Sequence, residues 1–428
     1  MNIVEHRKCR VCGQGNLNPI LSLGDQFSVG FPDSAEQETV KAPLDLVLCD
    51  PRQGGCGLLQ LKHTLDHDVL YREYWYKSGI STTMVKALGD IVRSGEKLMA
   101  LKPGDLVIDI GANDGTLLRQ YTTQGVEKVG FEPSNLWKLG VEAGTRIIND
   151  YFNHASFARE LGDRRARMIT SIAMFYDLED PNAFVRDIKL CLDKDGLWIV
   201  QMNYLGLMLK ENTFDNISHE HLEYYSLFSV ENLLRRHGME VMDVELNDVN
   251  GGSYRLYIRN VGAKIEGLPG GASRLISLRD AEKDQGFDSS RVYQEFSSRI
   301  QSMRDQLLEV LRREASLGRR IYIYGASTRG LVVLQYAGIN SQLIPFAVDK
   351  NSDKWGRYIV GTGIKVIPFE EYRATPPDCL LVLPYQFKNE IAWQEREFLN
   401  NGGRMIFAMP TVHVIDREFL DEKQEKAI

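Results

Sequence analysis

The chain has 428 residues, 43% of them hydrophobic and 25% charged, which predicts two or three packed domains rather than one. Its net charge of −7 and pI near 5.7 exclude a general nucleic-acid binder or a ligand of anionic membranes, since no excess cation exists to neutralise phosphate. No apolar run approaches the ~20 residues that span a bilayer, and MNIVEHRKCR lacks the apolar centre of a signal peptide, so a cytoplasmic protein is expected.

Four of the six cysteines lie in the first 56 residues, as Cys9-x2-Cys12 and Cys49-x6-Cys56. In a reducing compartment such clustering points to metal before disulfide, and two close pairs supply the four thiolates of a tetrahedral zinc site. With no general base nearby, the zinc is expected to be structural. Around these pairs run Gly, Pro and Asp punctuation and short apolar runs such as LDLVLC and LLQL. Residues 1–75 are therefore expected to form a small β-rich zinc-binding module. Cys191 and Cys379 sit in apolar surroundings and read as core.

Residues 76–262 alternate β-branched runs with helical stretches, the rhythm of an α/β doubly wound sheet. The predicted strands are 106–110, 128–132, 146–149, 167–172 and 196–202, followed by EVMDVEL and SYRLYIRN as an antiparallel edge pair. The stretch LVIDIGANDGTLL brings Asp109 to a strand end, turns through Gly111, Asn113 and Gly115, and is expected to enter a helix near Thr116. Glu132 ends the next strand, where a carboxylate accepts both ribose hydroxyls. Asp150 follows the third, suited to accept from an adenine amino group, and Ser171 ends the fourth. Asp109 suits the ammonium of a methionyl tail and poorly suits a pyrophosphate, so the expected cofactor is S-adenosylmethionine and not NAD.

After the fifth strand about 25 extra residues carry His219-Glu220-His221, with Tyr224 and Tyr225 close behind. An insertion at the carboxyl end of the sheet lies over the cofactor. Histidine is the natural base near neutral pH, and a neighbouring carboxylate orients it.

Val292, Phe296, Ile300, Met303, Leu307 and Leu311 form one apolar stripe, predicting a long packing helix within a third unit, residues 263–428. There the α/β rhythm restarts. Ser327, Thr328 and Arg329 open a helix after the strand ending at Tyr324, a place to hold an anionic oxygen such as a pyrophosphate. Asp349 closes the next strand, as a ribose-binding carboxylate does.

Together the cysteine pairs, IDIGANDGTLL, DNISHEHLEYYSL, NGGSYRLYIR, YGASTRG and DKNSDKWGRYIVGTGIKV resemble the nucleotide-sugar C-methyltransferases over essentially the whole chain. The resemblance implies a zinc-binding domain, a class I methyltransferase domain and a Rossmann-like domain, with the active site in the cleft between the last two. It implies methylation at C-3 of a nucleotide-linked 4-keto deoxysugar through an enolate, with His221 as base, Glu220 beside it and Tyr76 near cofactor and substrate. Two positions depart from the family pattern: Ser218 stands where tyrosine is usual, and Asp177 where histidine is common. Both line the family's active site, so the sugar and the methylated atom, carbon or oxygen, stay open, as does a monomer or dimer. A zinc-bearing binding module without turnover and an NAD-dependent oxidoreductase are the rival classes.

Overall fold

The computed structural model describes residues 3–425 except 29, 38, 67–69 and 71–75. Among the described residues the principal sheets are three. In the N-terminal one, Leu17–Phe27, Lys41–Cys49 and Leu59–Leu61 run antiparallel. Its fourth strand comes from far along the chain: Glu223–Tyr224, in the insertion, pairs with Gln60 and Leu59.

The middle sheet has seven strands. In chain order they are Leu106–Ile110, Glu127–Phe131, Arg146–Ile148, Ala166–Ile172, Leu192–Asn203, Met239–Asn247 and Ser253–Asn260. Numbered one to seven, they lie in the spatial order 3-2-1-4-5-7-6, with only the seventh antiparallel to its neighbours. This is the doubly wound sheet that the alternating pattern predicts, and strand order reverses beside the first strand, where such sheets bind ligands. The first strand is buried on both faces, which explains the apolar residues on either side of Asp109. Helix Thr82–Met99 covers one side through Leu88, Ile91 and Val92, with Ser81 capping its start by accepting from the Met84 amide.

The helix expected near Thr116 is absent. A single 3-10 turn, Leu118–Gln120, stands in its place. Glu96, on the covering helix, accepts from the amides and hydroxyls of Thr122 and Thr123 and holds the chain in a loop there.

The third unit contains the long helix Arg291–Ser316, whose buried face is Tyr293, Phe296, Ile300, Met303, Leu307 and Leu311. Val292 is only partly buried, so the stripe starts one residue later than its spacing suggested. A second seven-stranded sheet follows, with Ile321–Tyr324 at its centre between the parallel strands Phe346–Val348 and Cys379–Val382. Cys191 and Cys379 are fully buried. Gln335 of helix Thr328–Ala337 exchanges two hydrogen bonds with the Phe27 backbone, so the N-terminal sheet also leans on the third unit.

Candidate active site

At the carboxyl ends of the first, second and fourth strands lies a cavity of about 210 Å³. The glycine turn forms its floor: Gly111 has φ +71°, and a Cβ there would come within 3.2 Å of the Met174 side chain. Asp109 lines the cavity while almost fully buried, accepting from the Thr170 hydroxyl at 2.7 Å. Burial pushes its carboxyl up to about 7, with the Glu132 charge adding and the Thr170 bond opposing. A carboxylate so short of compensating charge gains from a cationic ligand, which fits an ammonium or sulfonium. Glu132 also lines the cavity, accepting from the Asn113 and Ser134 amides at 2.7 and 2.9 Å. Phe131, Phe152 and Phe184 add an apolar wall, with Phe152 edge-on to Phe131 at 5.3 Å between centroids.

Asn113 clamps the segment that crosses the mouth. Its Nδ2 donates to the Tyr76 carbonyl at 3.0 Å, and its Oδ1 accepts from the Ser78 amide at 3.1 Å. Tyr76 lines the cavity with a partly exposed ring.

Three residues expected at the cofactor lie elsewhere. The Asp150 carboxylate pairs with Arg159 at 2.7 Å, outside the cavity lining, while its successors Tyr151 and Phe152 face in. Ser171 is fully buried and accepts from the Trp198 indole at 3.1 Å. Gly115 serves the turn with φ +74° and does not line the cavity. Conversely, Met174, Gln201 and Asn250 line it and were not singled out. Gln201 was hidden by falling in an apolar strand, where the pattern marks burial and not facing.

The insertion splits its motif between two directions. His219 turns away from the cavity, and its Nε2 bonds the Ala42 carbonyl of the N-terminal sheet at 3.0 Å. Burial lowers its pKa, with that bond opposing. His221 places Nδ1 2.7 Å from the Asn216 carbonyl, which only accepts, so Nδ1 carries the proton and Nε2 keeps its lone pair. Burial, offset by that bond and reinforced by Arg329, holds the imidazole down to about 4. It lines a small second cavity with Tyr176, Asn203 and Glu223, and its ring meets Tyr176 edge-on at 4.4 Å. Tyr176 lines this small space, and the next residue, Asp177, lines the cavity at Asp109.

Burial pushes the Glu220 carboxyl up to about 7. Asp177 is raised well above the ordinary carboxylate range by burial and by the Glu220 and Glu223 charges, and its Oδ1 has no hydrogen-bond partner. Ser218 is buried with its hydroxyl likewise unpartnered, and Tyr224 donates to the His221 carbonyl at 3.0 Å.

In the third unit a cavity of about 450 Å³ opens at the carboxyl ends of the central strands, lined by Gly325, Ser327, Asp349 and Lys354 together with Tyr76 and Ser81–Thr83. Ser327 caps its helix by accepting from the Gly330 amide at 3.1 Å. Arg329 does not line this cavity; its guanidinium is held by Asp215, Asn250 and Tyr385.

At the other end of the chain, Cys9, Cys12, Cys49 and Cys56 bring their sulfurs within 4.8 Å of one another. That spacing fits tetrahedral zinc, whose ~2.3 Å bonds separate ligand sulfurs by roughly 3.8 Å.

Three family models tile the chain: a proposed zinc binding domain over residues 9–71, a methyltransferase domain over 87–244 and a C-methyltransferase C-terminal domain over 248–410. C-methyltransferase NovU of Streptomyces niveus is 32% identical over 418 residues, covering 96% of this chain and 97% of that one. Among solved structures, the CcbJ methyltransferase from Streptomyces caelestis overlays 41% of this chain and 90% of its own (15% identity, TM-score 0.33). Magnesium protoporphyrin IX methyltransferase from Synechocystis, with bound SAH, overlays 42% and 82% (14% identity, TM-score 0.31). Fold and domain content define an S-adenosylmethionine-dependent methyltransferase with a four-cysteine zinc site. The chain belongs to the C-methyltransferase family. No helix among the described residues is long and apolar enough to cross a membrane.

Proposed function

We propose that the acceptor is a nucleotide-linked 4-keto deoxysugar methylated at C-3, with His221 as the base that removes the α-proton. The observation that carries this reading is the imidazole tautomer: Asn216 fixes the proton on Nδ1, and the low pKa keeps Nε2 free at neutral pH. The ketone acidifies the neighbouring C–H, Nε2 takes the proton, and the electron pair passes to the enolate oxygen. S-adenosylmethionine, when bound, supplies an electrophilic methyl group to the resulting carbanion. Asp109 is assigned to its ammonium and Glu132 to its ribose, while Gly111 lets the ligand approach the backbone. Glu220, raised by burial to about 7 and so partly protonated near neutrality, is assigned to donate to a substrate oxygen in that form. The cavity of the third unit, with Asp349 just after a strand and Ser327 capping the helix that follows another, supports a nucleotide on the acceptor. Residues 1–75, 76–262 and 263–428 act in this reading as zinc, donor and acceptor units.

Incubating a nucleotide-linked 4-keto deoxysugar in D2O without donor tests it. Deuterium should enter at C-3 with wild-type protein and not with His221→Ala. Equal exchange in the variant sinks the base assignment, and methylation of an acceptor lacking the ketone sinks the enolate.

A further inference from the structure

We infer that Arg329, carried by the third unit, is a positioning residue for His221, acting through the turn Phe214–Asn216; this rests on the reading of His221 as the base. Arg329 lies in the first turn of helix Thr328–Ala337. Its Nη2 meets Asp215 Oδ2 at 2.8 Å and the Tyr385 hydroxyl at 3.2 Å, while Nη1 donates to the Asn250 carbonyl at 2.6 Å. The Asp215 side chain is 4% exposed, so this pair is shielded from solvent and weakly screened. Asp215 is fixed from one side, and the next residue, Asn216, presents the carbonyl that receives His221 Nδ1–H at 2.7 Å. One planar fork therefore governs where that carbonyl points, and with it which imidazole nitrogen is free. The same fork grips Asn250, which lines the donor cavity. Both halves of the proposed chemistry are thereby tied to a residue that touches neither reactant.

The charge matters as well as the fork. Around His221 stand the phenols of Tyr176, Tyr204 and Tyr224, with Glu223 across the small cavity and Glu220 next in the chain. Glu223 has Arg10 as its partner at 3.7 Å, and Arg329 has Asp215. Arg329 is the cation whose field opposes protonation of His221. A lysine would keep that field but not the three-way fork, because an ammonium is a point charge.

The test uses full-length, zinc-loaded protein with 13C-labelled histidine, the His221 signal being identified by its loss in His221→Ala. Arg329→Gln should move the His221 pKa upward by a part of its depression only, since burial is the larger cause, and lower kcat roughly tenfold to hundredfold, with acceptor KM little changed. Arg329→Lys should keep the low pKa while losing kcat. Asp215→Asn, which leaves the guanidinium uncompensated, should shift the pKa no higher and also lower kcat, so it reads the same link should the glutamine variant fail to fold. An unmoved His221 pKa in Arg329→Gln overturns the inference, as does a rise in acceptor KM with kcat and titration intact, the signature of a phosphate-binding arginine. If His221→Ala keeps full turnover the base assignment fails instead, while the titrations still report on Arg329.

Discussion

The Thr170 hydroxyl donates to Asp109 Oδ1 at 2.7 Å, from the strand next door in the middle sheet. It is the hydrogen bond that holds this carboxylate in place inside a nearly dry wall, and burial still raises the Asp109 pKa to about 7. A cationic ligand needs the ionised form. Donor affinity should therefore fall about tenfold per pH unit below 7, with proton release on binding measured by calorimetry in two buffers.

The stability sign is opposite. The folded protein holds the Asp109 proton to a higher pH than the unfolded chain does, so its contribution to stability is lost as pH rises from about 4 through 7. Asp109→Asn should raise the melting temperature at pH 8, gaining on the order of 2 kcal/mol, while abolishing donor binding. A melting temperature that drops would show that the charge is compensated in the folded protein.

The four-cysteine site lies far in sequence from the insertion but is linked to it. Arg10, between the first two cysteines, reaches the buried Glu223 at 3.7 Å, and Glu223–Tyr224 pairs with Leu59–Gln60 just beyond Cys56. Chelation or Cys12→Ser should increase hydrogen exchange over residues 59–61 and 222–225 and cut turnover at least tenfold. Exchange confined to the first 20 residues would contradict this.

Glu282 offers a control on stability alone. Its carboxylate accepts from the Leu227 and Phe228 amides at 2.6 and 2.9 Å and from the Tyr204 hydroxyl at 2.9 Å, closing the start of helix Leu227–Arg236. Glu282→Ala strands two buried donors and a partly buried one and should cost about 3 kcal/mol in denaturant unfolding. Turnover per folded molecule should be unchanged at low temperature.

Asp349 lines the cavity of the third unit and not the one at Asp109. Asp349→Ala should raise acceptor KM roughly tenfold and leave donor affinity as it is, in titrations with each ligand alone. Equal losses in both would place the donor across the two spaces.

What could be read from the residues beforehand was largely what period and spacing encode. Leu106–Ile110 announced itself by its apolar residues around a single carboxylate, Asp109, just before the glycine turn, and the cysteine pairs by their grouping alone. What stayed hidden was set by partners distant in the chain. Asp150 has the right position for a ligand, but Arg159 returns one helix later to take it. Ser171 ends its strand facing Trp198, a direction that an apolar strand with both faces buried does not reveal. The loop after Gln120 depends on Glu96, some 25 residues upstream, whose single carboxylate outcompetes a helix. His219 and His221 stand two residues apart, yet one side chain goes to the Ala42 carbonyl and the other to the Asn216 carbonyl, partners that spacing does not reveal.

The strand Glu223–Tyr224 belongs by sequence to the methyl-transferring unit and by hydrogen bonding to the zinc-bearing one. Chimaeras that exchange the insertion between relatives should accordingly move residues 59–61 together with 205–226. A graft that keeps the donor's insertion but the recipient's edge would mismatch at Gln60, whose amide oxygen already serves the Arg10 backbone. The natural seam for recombination runs through the sheet, not along the chain.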